Sequence, residues 1–520
     1  MPEVATRDEL VAELGRRRAL VADAGRPEAV ERQHRLGKLT ARERIALLVD
    51  QNSFREFGAF ADAAHLSGGP GEVVAPADGV VTGVGRIDGR PAVVLSFDFT
   101  VFGGSNGVTG GKKLARCRER ARRDGLPLVM LLDGGGARIQ DGLGSEHFAW
   151  GAQFFQEMAE LSGFVPLVAV MMGPGFAGPS NFAALADLIV MVRGMSTMGI
   201  AGPALVQAAT GERLSAEELG GADLQAALGI TDLVVGTEKE ALDAVRVFLG
   251  YLPASADRPA PRDQPREPAP GPDIDTLVPA LPRQAYDVRP VIDAIADGDS
   301  VFELRPEHAP NVVTSLARLG GRPVGVIANQ SLHLSGVLDS PACEKAAHFI
   351  SLCDAYGLAL VFLVDVPGFL AGSDSVTSQL VRRSGRMLFE LGQATVPRYS
   401  VVLRRGYGTG YMAMAGGRSF SPDLALAWPT AEICAMSVEG AVDVAYRREV
   451  EAASDPAARR TELIKSIQAE VDPFLAARGF GIDDVIDPRE TRAVLLDALE
   501  HAPERRHPTA PPKRHGISPI

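Results

Sequence analysis

Four short glycine turns carry the chemistry open to this sequence. They are Asp133-Gly134-Gly135-Gly136-Ala137-Arg138, Gly173-Pro174-Gly175-Phe176-Ala177-Gly178-Pro179, Asp365-Val366-Pro367-Gly368-Phe369 and Arg404-Arg405-Gly406-Tyr407-Gly408-Thr409-Gly410. Each follows a strand-like apolar run. Such a turn sets backbone N–H groups at a helix start, where they lack intrahelical partners and the helix dipole favours negative charge. Two of them aimed at one point form an oxyanion hole, in which a single donor is worth roughly 3–4 kcal/mol. Glycine suits the position because a side chain would hold the oxygen away. A lone turn of this kind is also the ordinary strand–helix junction of an α/β sheet; recurrence at matched positions is what points to function.

Side-chain constellations are scarcer. Neither the nine histidines nor the four cysteines (Cys117, Cys343, Cys353 and Cys434) show the spacing of a metal site or a Cys-x-x-Cys pair. Gly103-Gly104-Ser105-Asn106-Gly107 has the form of a nucleophile elbow, which makes a serine hydrolase the competing reading, but no histidine stands out as its base. The neighbouring stretch is no P-loop, since Asn106 stands where the first glycine is needed and Lys113 where Ser or Thr belongs. Lys112, Lys113, Arg116, Arg118, Arg120, Arg122 and Arg123 form a basic run that suits either a phosphate-bearing ligand or a solvated helix face. His147, His308 and His333 are isolated and read as hydrogen-bonded surface or core residues.

The elements that position the turns occur twice. Gly89-Arg90-Pro91 opens one strand-like run and Gly321-Arg322-Pro323 another, an offset of 321 − 89 = 232. The same offset carries Lys113 onto Lys345, Leu126-Pro127-Leu128-Val129 onto Leu358-Ala359-Leu360-Val361, Asp133 onto Asp365 and Gly136 onto Gly368. Apolar strands alternate with helical patterns in both copies, which predicts an α/β fold with mostly parallel strands. Strands are expected at 79–87, 91–97, 126–132, 165–172, 359–364 and 399–403. Residues 7–36 read as one charged helix, and Thr40 with Glu43 as a capping box opening a second. The expected organisation is an N-terminal domain at 1–252, a stiff, solvated Pro-rich linker at 253–273, a C-terminal domain at 274–505 and a basic arm at 506–520. Duplicated domains place a cleft where copies meet.

A chain of 520 residues is too long for one core, in keeping with two domains. A net charge of −12 argues against general nucleic-acid or anionic-membrane binding. The polar segment Met1 to Gly15 lacks a signal-peptide core, and the longest apolar runs are strand-sized. With few cysteines, the chain reads as cytoplasmic.

The residues resemble the carboxyltransferase (β) subunit of biotin-dependent acyl-CoA carboxylases, the propionyl-CoA and methylcrotonyl-CoA carboxylase family. The stretches that carry the resemblance are Gly37–Arg44, Asp98–Ser105, Gly135–Gln140, Thr210-Gly211-Glu212, Ala328-Asn329-Gln330, Asp365–Phe369, Ala427-Trp428-Pro429-Thr430-Ala431-Glu432 and Asp484–Arg492, spread over almost the whole chain. The resemblance implies two tandem crotonase-like (ββα-spiral) domains and homo-oligomers, commonly hexamers. Active sites would lie between the first domain of one subunit and the second of its neighbour. The implied reaction moves a carboxyl group from carboxybiotin to the α-carbon of an acyl-CoA, with no metal. One backbone hole would take the thioester enolate oxygen and another the biotin ureido oxygen. Residue by residue, it assigns Ala177 and Gly178 to the acyl-CoA hole, with Gly135, Gly136, Ala137, Arg138 and Met412 around the acyl-CoA. It assigns Thr409 and Gly410 to the biotin hole, with Tyr407, Gly408 and Gly368 beside it. The family's Gly-Gly-Ala becomes Ala177-Gly178-Pro179 here, so the donors are either Ala177 and Gly178 or Gly178 and Pro179; the second pairing loses an N–H to proline. No Met-Lys biotin-attachment pair occurs, so biotin and the biotin carboxylase would come from a separate subunit. A biotin-independent decarboxylase or carboxyl-transfer enzyme on the same fold is the alternative, and a non-catalytic scaffold subunit a third reading.

Overall fold

The computed structural model describes residues 6–63, 75–142, 144–145, 154–281, 283–503 and 505. The expected arm at 506–520 and His147 lie outside the described residues. The chain divides into two compact units, Met1–Arg258 and Pro259–Ile520.

The first unit is built on β1 (Arg55–Phe57), β2 (Val80–Ile87), β3 (Arg90–Phe97), β4 (Leu128–Leu132), β5 (Leu167–Met171), a short β6 (Pro174–Phe176), β7 (Leu188–Val192), β8 (Thr197–Gly199) and β9 (Leu233–Val235). Its main sheet runs β1-β2-β3-β4-β5-β7-β9, while β6 pairs with β8. β1, β2 and β3 are antiparallel and the rest parallel. The β2–β3 hairpin turns on Asp88 and Gly89, with φ of 48° and 78°, the left-handed pair that a two-residue turn needs. Every residue of β4 and of β5 is buried, as parallel strands covered on both faces require.

The second unit repeats the plan with β10 (Phe302–Leu304), β11 (Val312–Leu319), β12 (Arg322–Asn329), β13 (Ala359–Val366), β14 (Arg398–Tyr407), β15 (Leu424–Ala427), β16 (Glu432–Cys434) and β17 (Asp484–Val485). The sheet order is β10-β11-β12-β13-β14-β15-β17, with β16 added beside the end of β14. Shifted by the repeat offset, β2 and β3 coincide with β11 and β12 to the residue, and the hairpin turns on Gly320 and Gly321, again with positive φ. The buried lysines follow the same rule. Lys113 Nζ donates to the carbonyls of Ala77 and Val80, and Lys345 Nζ to those of Ala309 and Val312 at the same offset, as well as to Arg305 and His308.

The structure sharpens three readings of the elements. The N-terminal charged stretch is two helices, Arg7–Val21 and Pro27–Arg35, because Gly25 and Pro27 interrupt the first and Pro27 is accepted only as a start. The capping box at Thr40 and Glu43 is present. The Pro-rich stretch is not a free spacer: it is pinned to the second unit, where Asp263 N–H donates to Gly321 O at 2.8 Å, and Arg318 and Arg492 donate to the carbonyls of Pro261 and Arg266. The basic run, on the helix Val108–Asp124, is neutralised by pairs: Arg116–Glu119, Arg118–Glu157, Arg120–Asp124 and Arg122–Glu160. That favours the solvated face over a phosphate site.

Candidate active site

In each unit two of the glycine turns converge. In the first, Gly134 N–H donates to Pro174 O at 2.8 Å and pins the turn after β4 to the turn after β5. Above that bond the backbones nearly touch: a Cβ on Gly178 would lie 3.2 Å from Gly136 Cα and 3.9 Å from Ala137 N. The strand-like pairing of Asn106 with Ala137 consumes Gly136 O and Arg138 N–H, at 2.8 and 2.7 Å. Ala137 N–H therefore faces the other way and has no acceptor among the described residues. The helix Gly178–Ala183 begins at this point, and the N–H of Gly178 is likewise without an acceptor there.

Ala177 sits at φ 60° and donates its N–H to Gly199 O at 2.9 Å, which continues the β6–β8 pairing. As an oxyanion donor it is corrected, because its hydrogen is spent. Pro179 is the second helical residue and has none to give. The donor common to both pairings drawn from the sequence, Gly178, is the one left open, and Ala137 rather than Ala177 stands next to it. Behind the turn Ser180 Oγ accepts from Gly199 N–H at 2.8 Å and donates to Gly175 O, locking β6 to β8.

The second unit repeats the convergence at the same offset. A Cβ on Gly410 would lie 2.9 Å from Gly368 Cα, and Gly368 holds φ 131°. Leu338 pairs with Gly368 O and Leu370 N–H, which leaves Phe369 N–H on the free side. The helix Gly408–Ala413 starts with Gly408, Thr409 and Gly410, and none of their N–H groups has an acceptor among the described residues. Gly408 takes φ 60°, and Thr409 is exposed. The second turn thus offers three helix-start donors where the first offers Gly178 and Ser180, with a proline between them.

Beneath each convergence lies a buried ion cluster that the sequence reading missed as a unit. In the first, Asp133 receives Lys38 Nζ at 2.5 Å and Arg44 at 2.8 Å, and Arg44 also pairs with Glu238. Arg44 and Asp133 side chains are fully buried. In the second, Asp365 receives Arg404 at 2.9 Å and Arg405 at 2.7 Å. Burial would raise the Asp365 carboxyl, but Arg405 and Arg404 outweigh it and hold it below the usual carboxylate range. The signal was present in the repeat, since its offset carries one aspartate onto the other; their cationic partners are not related by that spacing. Each carboxylate fixes the end of the strand from which a turn leaves.

The remaining expected residues fall into place around these turns. Gly135 and Ala137 are exposed at the first convergence and Gly136 lies beneath them. The Arg138 side chain is 3% exposed, pairs with Asp78 at 2.7 Å and Asp141 at 3.3 Å, and holds the loop. Met412 is 46% exposed on the helix that begins at Gly408. Tyr407 is buried, and its hydroxyl donates to Glu432. Ser105 Oγ donates to Phe102 O at 2.8 Å and bonds no histidine among the described residues, so the elbow-like motif is a local turn.

Comparison with known proteins decides the family. The carboxyl transferase domain model matches residues 32–517. The chain belongs to the carboxyl transferase domain family. It is 41% identical over 517 residues to the methylmalonyl-CoA carboxyltransferase 12S subunit of Propionibacterium freudenreichii subsp. shermanii, covering 99% of this chain and 98% of that one. It is 39% identical to the propionyl-CoA carboxylase carboxyltransferase subunit of Haloferax mediterranei, covering 99% and 100%. It also shares 35% identity with the methylmalonyl-CoA decarboxylase subunit alpha of Propionigenium modestum, over 98% and 99%. Among solved structures, the transcarboxylase 12S hexamer with methylmalonyl-coenzyme A and methylmalonic acid bound superposes with a TM-score of 0.93 at 40% identity, covering both chains in full. The two units of this enzyme of the carboxyl transferase family are crotonase-like domains. No helix among its described residues is long and apolar enough to cross a membrane.

Proposed function

We propose that this chain is the carboxyltransferase subunit of a biotin-dependent acyl-CoA carboxylase, moving a carboxyl group between biotin and the α-carbon of an acyl-CoA. The observation that carries the reading is the pair of converging turns, each ending in backbone N–H groups with no acceptor among the described residues. The reaction needs such a pair, because two oxygens, that of the acyl thioester and that of the biotin ureido group, gain negative charge as the carboxyl group changes partner. Gly178 and Ala137 hold the thioester oxygen in the first unit. Thr409, Gly410 and Phe369 hold the ureido oxygen in the second, and the exposure of Thr409 leaves that turn open to a group brought by a carrier.

Donors fixed in place by buried clusters stabilise charge without reorganising. Biotin, borne on a separate carrier protein, supplies the carboxyl group and, once relieved of it, a nitrogen able to take the α-proton. The donor set fits it: with that nitrogen as the base, no side-chain base is required of this chain. The assembly is a homo-hexamer like the transcarboxylase 12S core, served by a biotin carboxylase and carrier subunit. Met412, apolar and half exposed beside the second turn, is a candidate for the acyl pocket wall.

Decarboxylation of an acyl-CoA without biotin is the second reading, supported by the decarboxylase relative and by Pro179 in place of a donor. One assay separates the two. The purified chain is mixed with a panel of carboxylated acyl-CoA thioesters, with and without free biotin. Loss of the carboxyl group only when biotin is present supports the first reading, equal loss without biotin supports the second, and no loss across the panel removes both. Ser105→Ala is expected to retain full activity in that assay; its inactivity would reinstate the hydrolase.

A further inference from the structure

The two units lock their donor turns by different means. In the first the lock is internal: Ser180 Oγ, on a residue 3% exposed, bridges Gly175 O and Gly199 N–H. At the repeat offset Gly175 becomes Tyr407 and Ser180 becomes Met412, so that lock is lost. A carboxylate takes its place. Tyr407, the last residue of β14 and the cap of the helix Gly408–Ala413, donates its hydroxyl to one oxygen of Glu432. Glu432 opens β16, whose backbone pairs Tyr407 with Cys434.

The other oxygen of Glu432 accepts from Gln468 Nε2 at 2.5 Å. Gln468 ends the helix Pro456–Gln468, part of a helical excursion that runs from Val438 to Arg478. The first unit's counterpart runs only from Pro203 to Ala227. Ile433 N–H also donates to Val471 O at 3.1 Å, so the excursion returns to β16 beside the carboxylate. Burial, and then the hydrogen bond and charge of Glu432, push the Tyr407 phenol far above its ordinary value, which keeps it a donor across the working pH range.

We infer that Glu432 is the positioning residue of the second donor turn, a carboxylate strap that joins Tyr407 beneath the turn to Gln468 on the helical excursion. Its removal frees the phenol, leaves a part-buried hydroxyl without its acceptor, and removes the side-chain link between the turn and the excursion. The first turn, held by Ser180, is indifferent to it. The identity of the ligand at the second turn rests on the proposed function; the strap itself does not.

The test separates the two. Hydrogen exchange is followed on peptides spanning 405–413 and 174–183 in the full chain, for the unsubstituted protein, Glu432→Ala and Glu432→Gln. The strap predicts that Glu432→Ala lowers protection of the 405–413 peptide by at least tenfold. The 174–183 peptide is unchanged, and Glu432→Gln, which still offers an oxygen to Tyr407, restores most of the protection. Unchanged exchange in Glu432→Ala, equal loss in both peptides, or equal loss in both variants would overturn it. The same proteins are assayed for carboxyl transfer from a carboxylated acyl-CoA to free biotin. A tenfold or greater rise in the KM for biotin in Glu432→Ala, with the KM for acyl-CoA unaltered, supports both the strap and the biotin assignment. A rise confined to the KM for acyl-CoA, with exchange changed as predicted, keeps the strap and contradicts the biotin assignment.

Discussion

Gly178 and Gly410 are matched residues with unequal room. A methyl group on Gly178 would sit 3.2 Å from Gly136 Cα, a contact that a small shift relieves, whereas one on Gly410 would sit 2.9 and 3.0 Å from two backbone atoms of Gly368. Gly410→Ala therefore has to push the two turns apart, and misplacing donors by a fraction of an ångström forfeits much of their stabilisation. Loss of one such donor costs about 10²–10³ in kcat. We expect Gly410→Ala to fall in that range and Gly178→Ala to lose roughly tenfold, read as kcat under saturating substrates; the reverse ranking would contradict the geometry. Both glycines were legible in the sequence, as was their place at a helix start. The partner donor Ala137 was legible only as a binding residue, because the direction of an N–H depends on which neighbour consumes the alternate groups of the strand. The same cause hid the loss of Ala177, whose hydrogen goes to the carbonyl of Gly199 on a later strand.

At the scale of elements, Asp365 ties β13 to the end of β14, and Asp133 ties the end of β4 to the N-terminal segment that carries Lys38 and Arg44. Removing one partner of a buried pair leaves an uncompensated charge, at a cost of about 3–5 kcal/mol. Asp365→Asn is expected to destabilise the second unit by that order, and Asp133→Asn the first, each read as a shift of one calorimetric transition. The pH dependence has a definite sign. A carboxylate whose folded pKa is depressed contributes stability that is present above the unfolded value, about 3.9, and lost as pH falls through the folded one. The second unit should thus hold its stability from neutral pH down to about 4 and lose the Asp365 contribution below, a loss absent in Asp365→Asn. Strands and hairpins were readable because parallel strands buried on both faces are continuous apolar runs. The N-terminal helix break was readable in Gly25 and Pro27, but the charged periodicity on either side concealed it. The pinning of the Pro-rich stretch was not readable, since it depends on carbonyls meeting arginines that lie far along the chain.

At the scale of the whole molecule, duplication supplies two copies of one device, and divergence makes them unequal. The first keeps fewer helix-start donors and an internal serine lock; the second keeps all its donors and a lock reaching an exposed helical excursion. That division suits one ligand that binds and stays and another that arrives on a carrier. The family and the tandem crotonase-like fold were legible from motifs spread over the chain, whereas which hydrogens remain free was a property of the folded turns. Assembly is expected to be hexameric, so native mass spectrometry should find six copies of the 54.9 kDa chain; a stable monomer would contradict that.

The central claim is that two backbone holes serve a carboxyl group exchanged between biotin and an acyl-CoA. Its most direct test is exchange of labelled carboxyl from a carboxylated acyl-CoA by the purified chain in the presence of free biotin. The account predicts label loss that rises with biotin concentration, saturates, and falls by about two orders of magnitude or more in Gly410→Ala, taking that turn as the biotin side. Label loss at the same rate with no biotin present, and undiminished in Gly410→Ala, would contradict it.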